Sequence, residues 1–443
     1  MEAYNPSPER LFQTDVLVVG SGSAGATAAI AAAREGLDVA LVERYGFMGG
    51  ISTQVLDTFY GFYTPGEEPR KVVGGVPNQV VGALQERDAC FLRPNTYGAG
   101  TGVTYDPEQL KVVWETLARE VGARLLYHAF VVDALVNDEG VCGVVAATKR
   151  GHIRIDADVV IDATGDADVA AAAGVPFEGA ADGPVQAYTT TFRLINVDTE
   201  RACGVSSERL HALMNEAAET GEYQLPRREG SVHRTPTDGV MHTNMVRVGD
   251  VDGTDPEQLT EAEIEGRRQA LEYARFLRDY VPGYERATLS HFSTQIGIRE
   301  SRRIFGEYRL TQDDVLGARS FDDAIGLCAA PIEEHHSGSD TRWEYLPEGE
   351  TYEIPYRCLV PKSVDGLLVV GRCVSADHDA HASVRNMGQC MLMGQAAGVA
   401  AGQTVRRGTP PRAVDTETLR ERLREIGAVL GEPSVAPEAM VEA

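Results

Sequence analysis

Two stretches of this chain carry residue types at spacings that chemistry needs. The first is Gly20-Ser21-Gly22-Ser23-Ala24-Gly25, followed at the end of the next apolar run by Glu43. In such a pattern Gly20 permits a tight turn, Gly22 lets the backbone approach a pyrophosphate, and Gly25 lets a helix pack closely on a strand. Ser23 and Ala24 then open a helix whose N-terminus faces the anion. Glu43 stands where a carboxylate accepts hydrogen bonds from both ribose hydroxyls and repels a 2′-phosphate. The implied chemistry is capture of a dinucleotide. The second stretch is Asp377-His378-Asp379-Ala380-His381, with Arg385 just beyond. A neutral His accepts the proton of an alcohol or amine near pH 7, and a neighbouring carboxylate fixes its tautomer. His378 and His381 are therefore the first choices for proton transfer. Arg385 would orient a carboxylate or balance negative charge. Read structurally, the same segment is a hydrogen-bonded turn.

Gly297-Ile298-Arg299-Glu300-Ser301-Arg302-Arg303 adds more guanidinium groups. Arg299 is the candidate for the site, whereas Arg302 and Arg303 read as an Arg–carboxylate lattice between domains. His291, Gln295 and the run Thr189-Thr190-Thr191-Phe192-Arg193 are further candidates for pocket walls. The His and Asp of 377–381, with Glu333-Glu334-His335-His336, also offer metal ligands. Nothing in their local spacing brings them together, and no metal is expected.

The elements that must position these groups follow from patterning. A strand from Val16 to Val19, the glycine turn, an Ala-rich helix from Ala24 to Arg34 and a strand from Val39 to Val42 make a βαβ opening. Asp106 and Pro107 start a helix running to about Val121, Asp106 as N-cap. Arg124 to Ile161 reads as a β-meander, broken by turn signals at Asn137-Asp138-Glu139-Gly140 and Arg150-Gly151. From about Pro184 to Pro355, charged helices (Ser207 to Thr220, Pro256 to Tyr280) alternate with extended segments. Leu367 to Gly371 returns as a buried strand, and an Ala/Gly/Met-rich helix follows from about Met387 to Ala401. Asp415 to Leu430 reads as an amphipathic surface helix. The expected fold class is α/β with an α+β insert: a discontinuous Rossmann-like domain with a β-meander (1–183 and 356–443) and an inserted substrate or cap domain (184–355).

Further residues choose between dinucleotides. Arg44 and the pair Gly49-Gly50, with Ser52 beyond, lie where an FAD pyrophosphate and ribityl chain would run. Ala163-Thr164-Gly165-Asp166 closes a strand in the form seen in flavoproteins, and Val131 lies on the intervening strands. Gly371-Arg372 and Met387-Gly388-Gln389 put a strand end and a helix N-terminus toward a flavin ring. This ordered set resembles the FAD-dependent oxidoreductases of the glutathione-reductase-like superfamily, on the branch related to succinate dehydrogenase and fumarate reductase flavoproteins. More narrowly it is similar to a bacterial and archaeal family with Gly-Gly-x-Ser-Thr (here Gly49 to Thr53), an Arg-rich motif (Gly297 to Tyr308) and Gly-Arg-x-x-Ser-Ala-x-His (Gly371 to His378). The resemblance spans Asp15 to Gly402. It implies FAD, held non-covalently because Ile51 to Val55 lacks the His that those relatives use for attachment. The absence of a second glycine fingerprint leaves the electron acceptor open among oxygen, a quinone and another redox protein.

The activity expected is that of a dehydrogenase or oxidase taking a hydride from a C–OH, C–NH or activated C–C group of a small polar substrate. The alternatives are an enoate reductase of the fumarate-reductase type and an electron-transfer flavoprotein subunit. The second of these is weakened by the lack of iron–sulfur Cys spacing. A chain of 443 residues, 43% hydrophobic, allows more than one core. Its net charge of −25 disfavours a nucleic-acid partner. Among its basic residues only Lys71, Lys111, Lys149 and Lys362 are lysines. Seven Cys without a Cys-x-x-Cys signal neither disulfides nor a redox dithiol. Met1 to Thr14 lacks the pattern of a secretion signal, and no apolar run has the ~20 residues of a membrane span. A cytoplasmic location is expected, and a homo-oligomer is compatible with the sequence.

Overall fold

The computed structural model describes residues 8–94, 98–336, 338 and 340–435. Its centre is a seven-stranded sheet in which Glu9–Val19 lies between two parallel neighbours, Val39–Val42 and Gly151–Asp162. Alternate side chains of the first strand enter two cores. Val16 and Val18 face one, and Leu17 and Val19 face the other. A strand buried on both faces reads as a continuous apolar run, as this one does.

Gly151–Asp162 pairs antiparallel with Gly140–Thr148, and that strand pairs antiparallel with Phe130–Asn137, which is the expected meander. Arg124–Leu126 differs from expectation. It pairs parallel with Val39–Val42, because the helix Pro107–Glu120 carries the chain across the sheet before it. That helix starts as predicted, the Asp106 carboxylate accepting from Glu108 N–H at 2.8 Å and Gln109 N–H at 3.1 Å. The returning strand Leu367–Val369 joins Gly151–Asp162 in parallel. The chain segment before Pro184 and the one after Pro355 thus share one sheet.

Two helices stack beside this sheet, Ser23–Arg34 and Met387–Arg407. Their approach requires small residues. A Cβ on Gly394 would run into the Ala24 carbonyl oxygen, and one on Gly398 would lie 2.5 Å from the Ala28 oxygen. His378–Val384 is a short helix capped by Asp377, whose carboxylate accepts from Ala380 N–H at 2.7 Å.

A second unit has its own core, drawn from Tyr188 to Ile298. Its four-stranded sheet runs Ser231–Arg234, Met241–Asn244, Phe192–Ile195, Thr288–Phe292, backed by the 25-residue helix Pro256–Tyr280. The following segment behaves otherwise. Leu310, Val315, Leu327, Tyr352 and Ile354 bury themselves in the first core, not the second. Among the described residues no helix is long and apolar enough to cross a membrane.

Candidate active site

Three parallel strands end at the same edge of the sheet, and the chain leaves them through Gly20, Glu43 and Ala163. Such an edge is where doubly wound sheets bind ligands. Gly20 donates its N–H to Val42 O at 2.8 Å, and Ala163 donates to Val19 O at 2.8 Å. Gly20 has φ +92°, and a Cβ there would lie 2.6 Å from the Ala163 oxygen. A Cβ on Gly25 would run into the Gly20 carbonyl oxygen. Gly22 is different, because its φ of −61° suits any residue. The nearest atom to a Cβ there is Gly50 Cα at 3.9 Å. The fold needs glycine at positions 20 and 25; at position 22 the space is kept for something else. Gly49 N–H donates to Ser21 O at 2.8 Å and brings the second glycine pair against the first. Glu43 is buried at the rim. Its Oε2 accepts from Ser21 N–H at 2.9 Å and Ser21 Oγ–H at 2.6 Å, and its Oε1 accepts from Tyr45 N–H at 2.9 Å.

A long cleft runs from this edge toward the second unit. Gly20, Gly22, Ser23, Ala24, Glu43, Arg44, Gly50, Val131, Ala163, Thr164, Gly165, Asp166, Gly371, Arg372 and Met387 all line it. Gly25, Gly49, Ser52, Gly388 and Gln389 stand behind its wall instead. Ser52 Oγ–H donates to Gly49 O at 2.6 Å, and Gln389 Nε2 donates to Gly61 O at 2.9 Å. A Cβ on Gly388 would lie 2.7 Å from that same oxygen, so these residues set the wall's shape by close packing. Asp166 and Arg372 form an ion pair at 2.6 Å, and Ser301 Oγ–H donates to the same carboxylate oxygen at 2.6 Å. The glycine edge, the open space at Gly22 and a buried carboxylate at the second strand end fit a dinucleotide.

The two His placed first for proton transfer lie outside the cleft. The helix His378–Val384 turns both imidazoles toward Glu300, beneath the cleft wall. His381 is fully buried; its Nε2–H donates to Arg372 O at 2.9 Å, and its Nδ1 lies 3.9 Å from Glu300 Oε1. His378 Nδ1 pairs with Glu300 Oε2 at 3.0 Å. Glu300 also takes Arg303 Nε–H at 2.7 Å, and Arg303 bridges on to Glu178 at 2.9 Å. Arg302 reaches Asp168 at 3.0 Å, so both arginines are tied into an Arg–carboxylate lattice.

This network has a pH signature. Burial alone would raise the Glu300 carboxyl, but His381, His378 and Arg303 outweigh it and hold it at about 2. Burial pulls His381 down to about 3 against the pull of Glu300. Both folded values lie below the unfolded ones, so the stabilisation is whole above pH ~6.5 and fades as pH falls toward ~2. His378 acts oppositely: burial lowers it, but the Glu300 hydrogen bond and charge win and raise it, so its share fades as pH rises. We expect the urea midpoint to fall between pH 7 and pH 4, and His381→Gln to flatten the upper part of that fall. An unchanged slope in the variant would remove His381 from the account.

At the other end of the cleft the structure brings Arg299 and Arg385 together with Arg227, Glu333 and His335, which sequence reading did not place there. Thr189 and Gln295 line the cleft too, whereas His291 is exposed outside it. Arg299 donates to Ala187 O at 2.6 Å, and Arg385 donates to Gln186 Oε1 at 3.0 Å and Glu333 O at 3.2 Å. Among the described residues neither guanidinium has a carboxylate within 4.0 Å, and Arg385 Nε has no hydrogen-bond partner. Burial, and then Arg385 and Arg227, pull the Arg299 pKa well below its ordinary value. His335 is buried, its Nε2 lying 2.9 Å from Glu333 Oε1. Burial, Arg299 and Arg227 keep its imidazole neutral by pulling its pKa well down. The dense acid and His run at 333–336 was the one signal for this dyad.

The family described as FAD dependent oxidoreductase matches residues 15–423, and the chain belongs to that family. No curated protein matches the sequence. Solved structures similar to the chain include a geranylgeranyl bacteriochlorophyll reductase-like protein from Thermoplasma acidophilum, at 13% identity over 98% of this chain and 96% of that one, with a TM-score of 0.46. A flavin-dependent brominase is similar at 14% identity over 93% of this chain and 83% of that one, TM-score 0.47. The p-nitrophenol 4-monooxygenase of Pseudomonas putida gives 13%, 93%, 83% and 0.46.

Proposed function

We propose that this FAD-dependent oxidoreductase is a dehydrogenase or oxidase of a small carboxylate-bearing substrate, such as a hydroxy or amino acid. The observation that carries this reading is the pair Arg299 and Arg385. Both guanidinium groups face the cleft, and neither has a carboxylate within ion-pair distance among the described residues. Glu333 draws both cations only from beyond ion-pair distance, so their burial stays costly, and a substrate carboxylate in contact offsets that cost. In a chain of net charge −25, such a cluster of guanidinium groups is a selective feature.

Gly20, Gly22, Glu43, Gly50 and Gly165 would hold the cofactor, which when bound supplies the acceptor for a hydride. The chain's own residues do the rest. Arg299 and Arg385 orient the substrate carboxylate, and the His335–Glu333 dyad takes the proton released from the oxidised C–OH or C–NH. Bringing a carboxylate beside Arg299 offsets the cationic surroundings that keep His335 neutral, so the dyad becomes a better base when substrate is present. Non-covalent FAD is part of the reading, since Ile51, Ser52, Thr53, Gln54 and Val55 offer no imidazole for attachment. The motifs Gly49–Thr53 and Gly371–His378, similar to those of a bacterial and archaeal FAD-dependent family, support the placing of the cofactor in this cleft. From the burial pattern we also assign the cap to residues 184–298 and return 303–355 to the FAD-binding part.

Anaerobic titration of the FAD-loaded protein tests this. Hydroxy or amino acids should bleach the flavin and their methyl esters should not. In Arg385→Gln the concentration for half-bleaching should rise about 100-fold, as expected for a buried charge-assisted contact. Equal bleaching by acid and ester would sink the carboxylate reading. Reoxidation of the chemically reduced protein by an unsaturated acid, without bleaching by any hydroxy or amino acid, would favour the enoate reductase.

A further inference from the structure

Asp57, His233 and His242 are distant in sequence, and the fold brings them together at full burial. Asp57 precedes the short strand Thr58–Phe59 of the FAD-binding part. The two His face each other across adjacent strands of the cap sheet, since His233 registers with His242. One ligand atom of each residue lies within 4.8 Å of those of the other two. The individual spacings are 2.8 Å from His233 Nε2 to Asp57 Oδ1 and 3.3 Å from His242 Nδ1 to Asp57 Oδ2. A tetrahedral ion with bonds of ~2.1 Å spaces its ligands ~3.4 Å apart, within the range spanned here.

A second observation is independent of that spacing. His242 Nδ1, the nitrogen turned toward Asp57, is buried without a hydrogen-bond partner, its 3.3 Å approach to Asp57 lacking the alignment of a hydrogen bond. Buried polar atoms are rarely left so, and each costs about 1–3 kcal/mol. From these observations we propose that Asp57, His233 and His242 form a site for a borderline divalent transition-metal ion of the Zn2+ class, which fastens the cap sheet to the FAD-binding part.

The surroundings choose the class of ion. Arg193 registers beside His242 on the next strand, and its Nη2 lies 3.5 Å from Asp57 Oδ2. Arg93 donates to Thr104 Oγ1 at 3.1 Å and to Thr58 Oγ1 at 3.2 Å, close to the cluster. One carboxylate beside two guanidinium groups is a poor field for Mg2+ or Ca2+, which are held by oxygen and charge. Two imidazoles with one carboxylate suit an ion bound through nitrogen, and a third protein ligand leaves one tetrahedral position for water. Ser231 and Asn244, paired one pleat away on the same sheet face, line the cleft. The ion would therefore hold in place the strands that roof the active site.

The test uses the full FAD-loaded chain, stripped with a chelator and then titrated with Zn2+, and separately with Co2+ as a spectroscopic probe. Wild-type protein should bind about one equivalent of Zn2+, gain thermal stability from it, and show the visible bands of tetrahedral Co2+ with nitrogen ligands. His242→Asn and Asp57→Asn should each lower bound Zn2+ to about a tenth of an equivalent and lose the Zn2+-dependent gain in Tm. Wild type that takes up no Zn2+ and shows no tetrahedral Co2+ bands overturns the proposal without recourse to any variant. A full equivalent retained by His242→Asn overturns it equally, by placing the ion elsewhere.

Discussion

Gly22→Val should give a folded protein without flavin. Its backbone at position 22 is extended, with φ −61° and ψ −177°, a conformation that valine adopts readily. Beyond its chain neighbours, the nearest atom to the new Cβ is Gly50 Cα at 3.9 Å. The added methyl groups would fill the space where a pyrophosphate meets the N-terminus of the helix Ser23–Arg34. Overpacking of about 3 kcal/mol corresponds to a loss of affinity of about 100-fold or more. Purified Gly22→Val should therefore be colourless, with circular dichroism like that of wild type freed of its flavin. Gly25→Ala makes the contrasting case. There the Cβ meets the Gly20 carbonyl and presses the helix away from the strand, so both stability and flavin should suffer. Retention of stoichiometric flavin by Gly22→Val would show that the cofactor does not approach the backbone at this turn.

The second expectation separates two histidines. His335→Gln should retain FAD and reduce it about 10²- to 10⁴-fold more slowly with saturating substrate, the usual contribution of a positioned proton carrier. His335 lines the cleft and is tied to Glu333 at 2.9 Å, so glutamine keeps much of the volume and polarity but cannot carry the proton. His381→Ala should do something else. Its imidazole lies under the wall, donating to Arg372 O at 2.9 Å beside Glu300, and removing it leaves that carbonyl and the buried carboxylate less well satisfied. We expect a lower unfolding midpoint and a reduction rate within about tenfold of wild type, since no reacting group is lost. Rapid-mixing measurements of flavin reduction decide between the two. A slow His381→Ala and a fast His335→Gln would return proton transfer to the 378–381 segment.

What could be read from the chain, and what could not, follows from the range of the forces involved. The glycine turn, the helix behind it and the capped helix after Asp106 depend on local backbone geometry and short-range periodicity. They lie in the structure where their residues imply. The strands Val16–Val19 and Val39–Val42 declare themselves because burial on both faces demands unbroken apolar runs. Arg124–Leu126 did not declare its partner, because pairing direction is set by the crossover before it and not by its own three residues. The segment 303–355 continues the alternation of charged helices and extended runs that reads as the insert from about Pro184 to Pro355. Leu310, Val315, Leu327 and Tyr352 nonetheless belong to the first core.

The same division runs through the site. Read alone, the sequence marks Gly20, Gly22, Gly25 and Glu43 for a dinucleotide edge; the turn at Gly20 and the helix contact at Gly25 demand glycine from the chain itself, whereas Gly22 has room to spare. The sequence also marks Arg299 and Arg385 as candidates by residue type. Tertiary structure decided which ionisable groups face the cleft. It turned His378 and His381 inward onto Glu300, raised His335 and Glu333 into the cavity wall, and drew Asp57, His233 and His242 together from two parts of the fold. A side chain's direction depends on how its helix or strand is packed, and packing is a property of the assembled cores. Neighbours in sequence such as His335 and His336 therefore meet different fates, the first buried against Glu333 and the second 39% exposed beside Asp340.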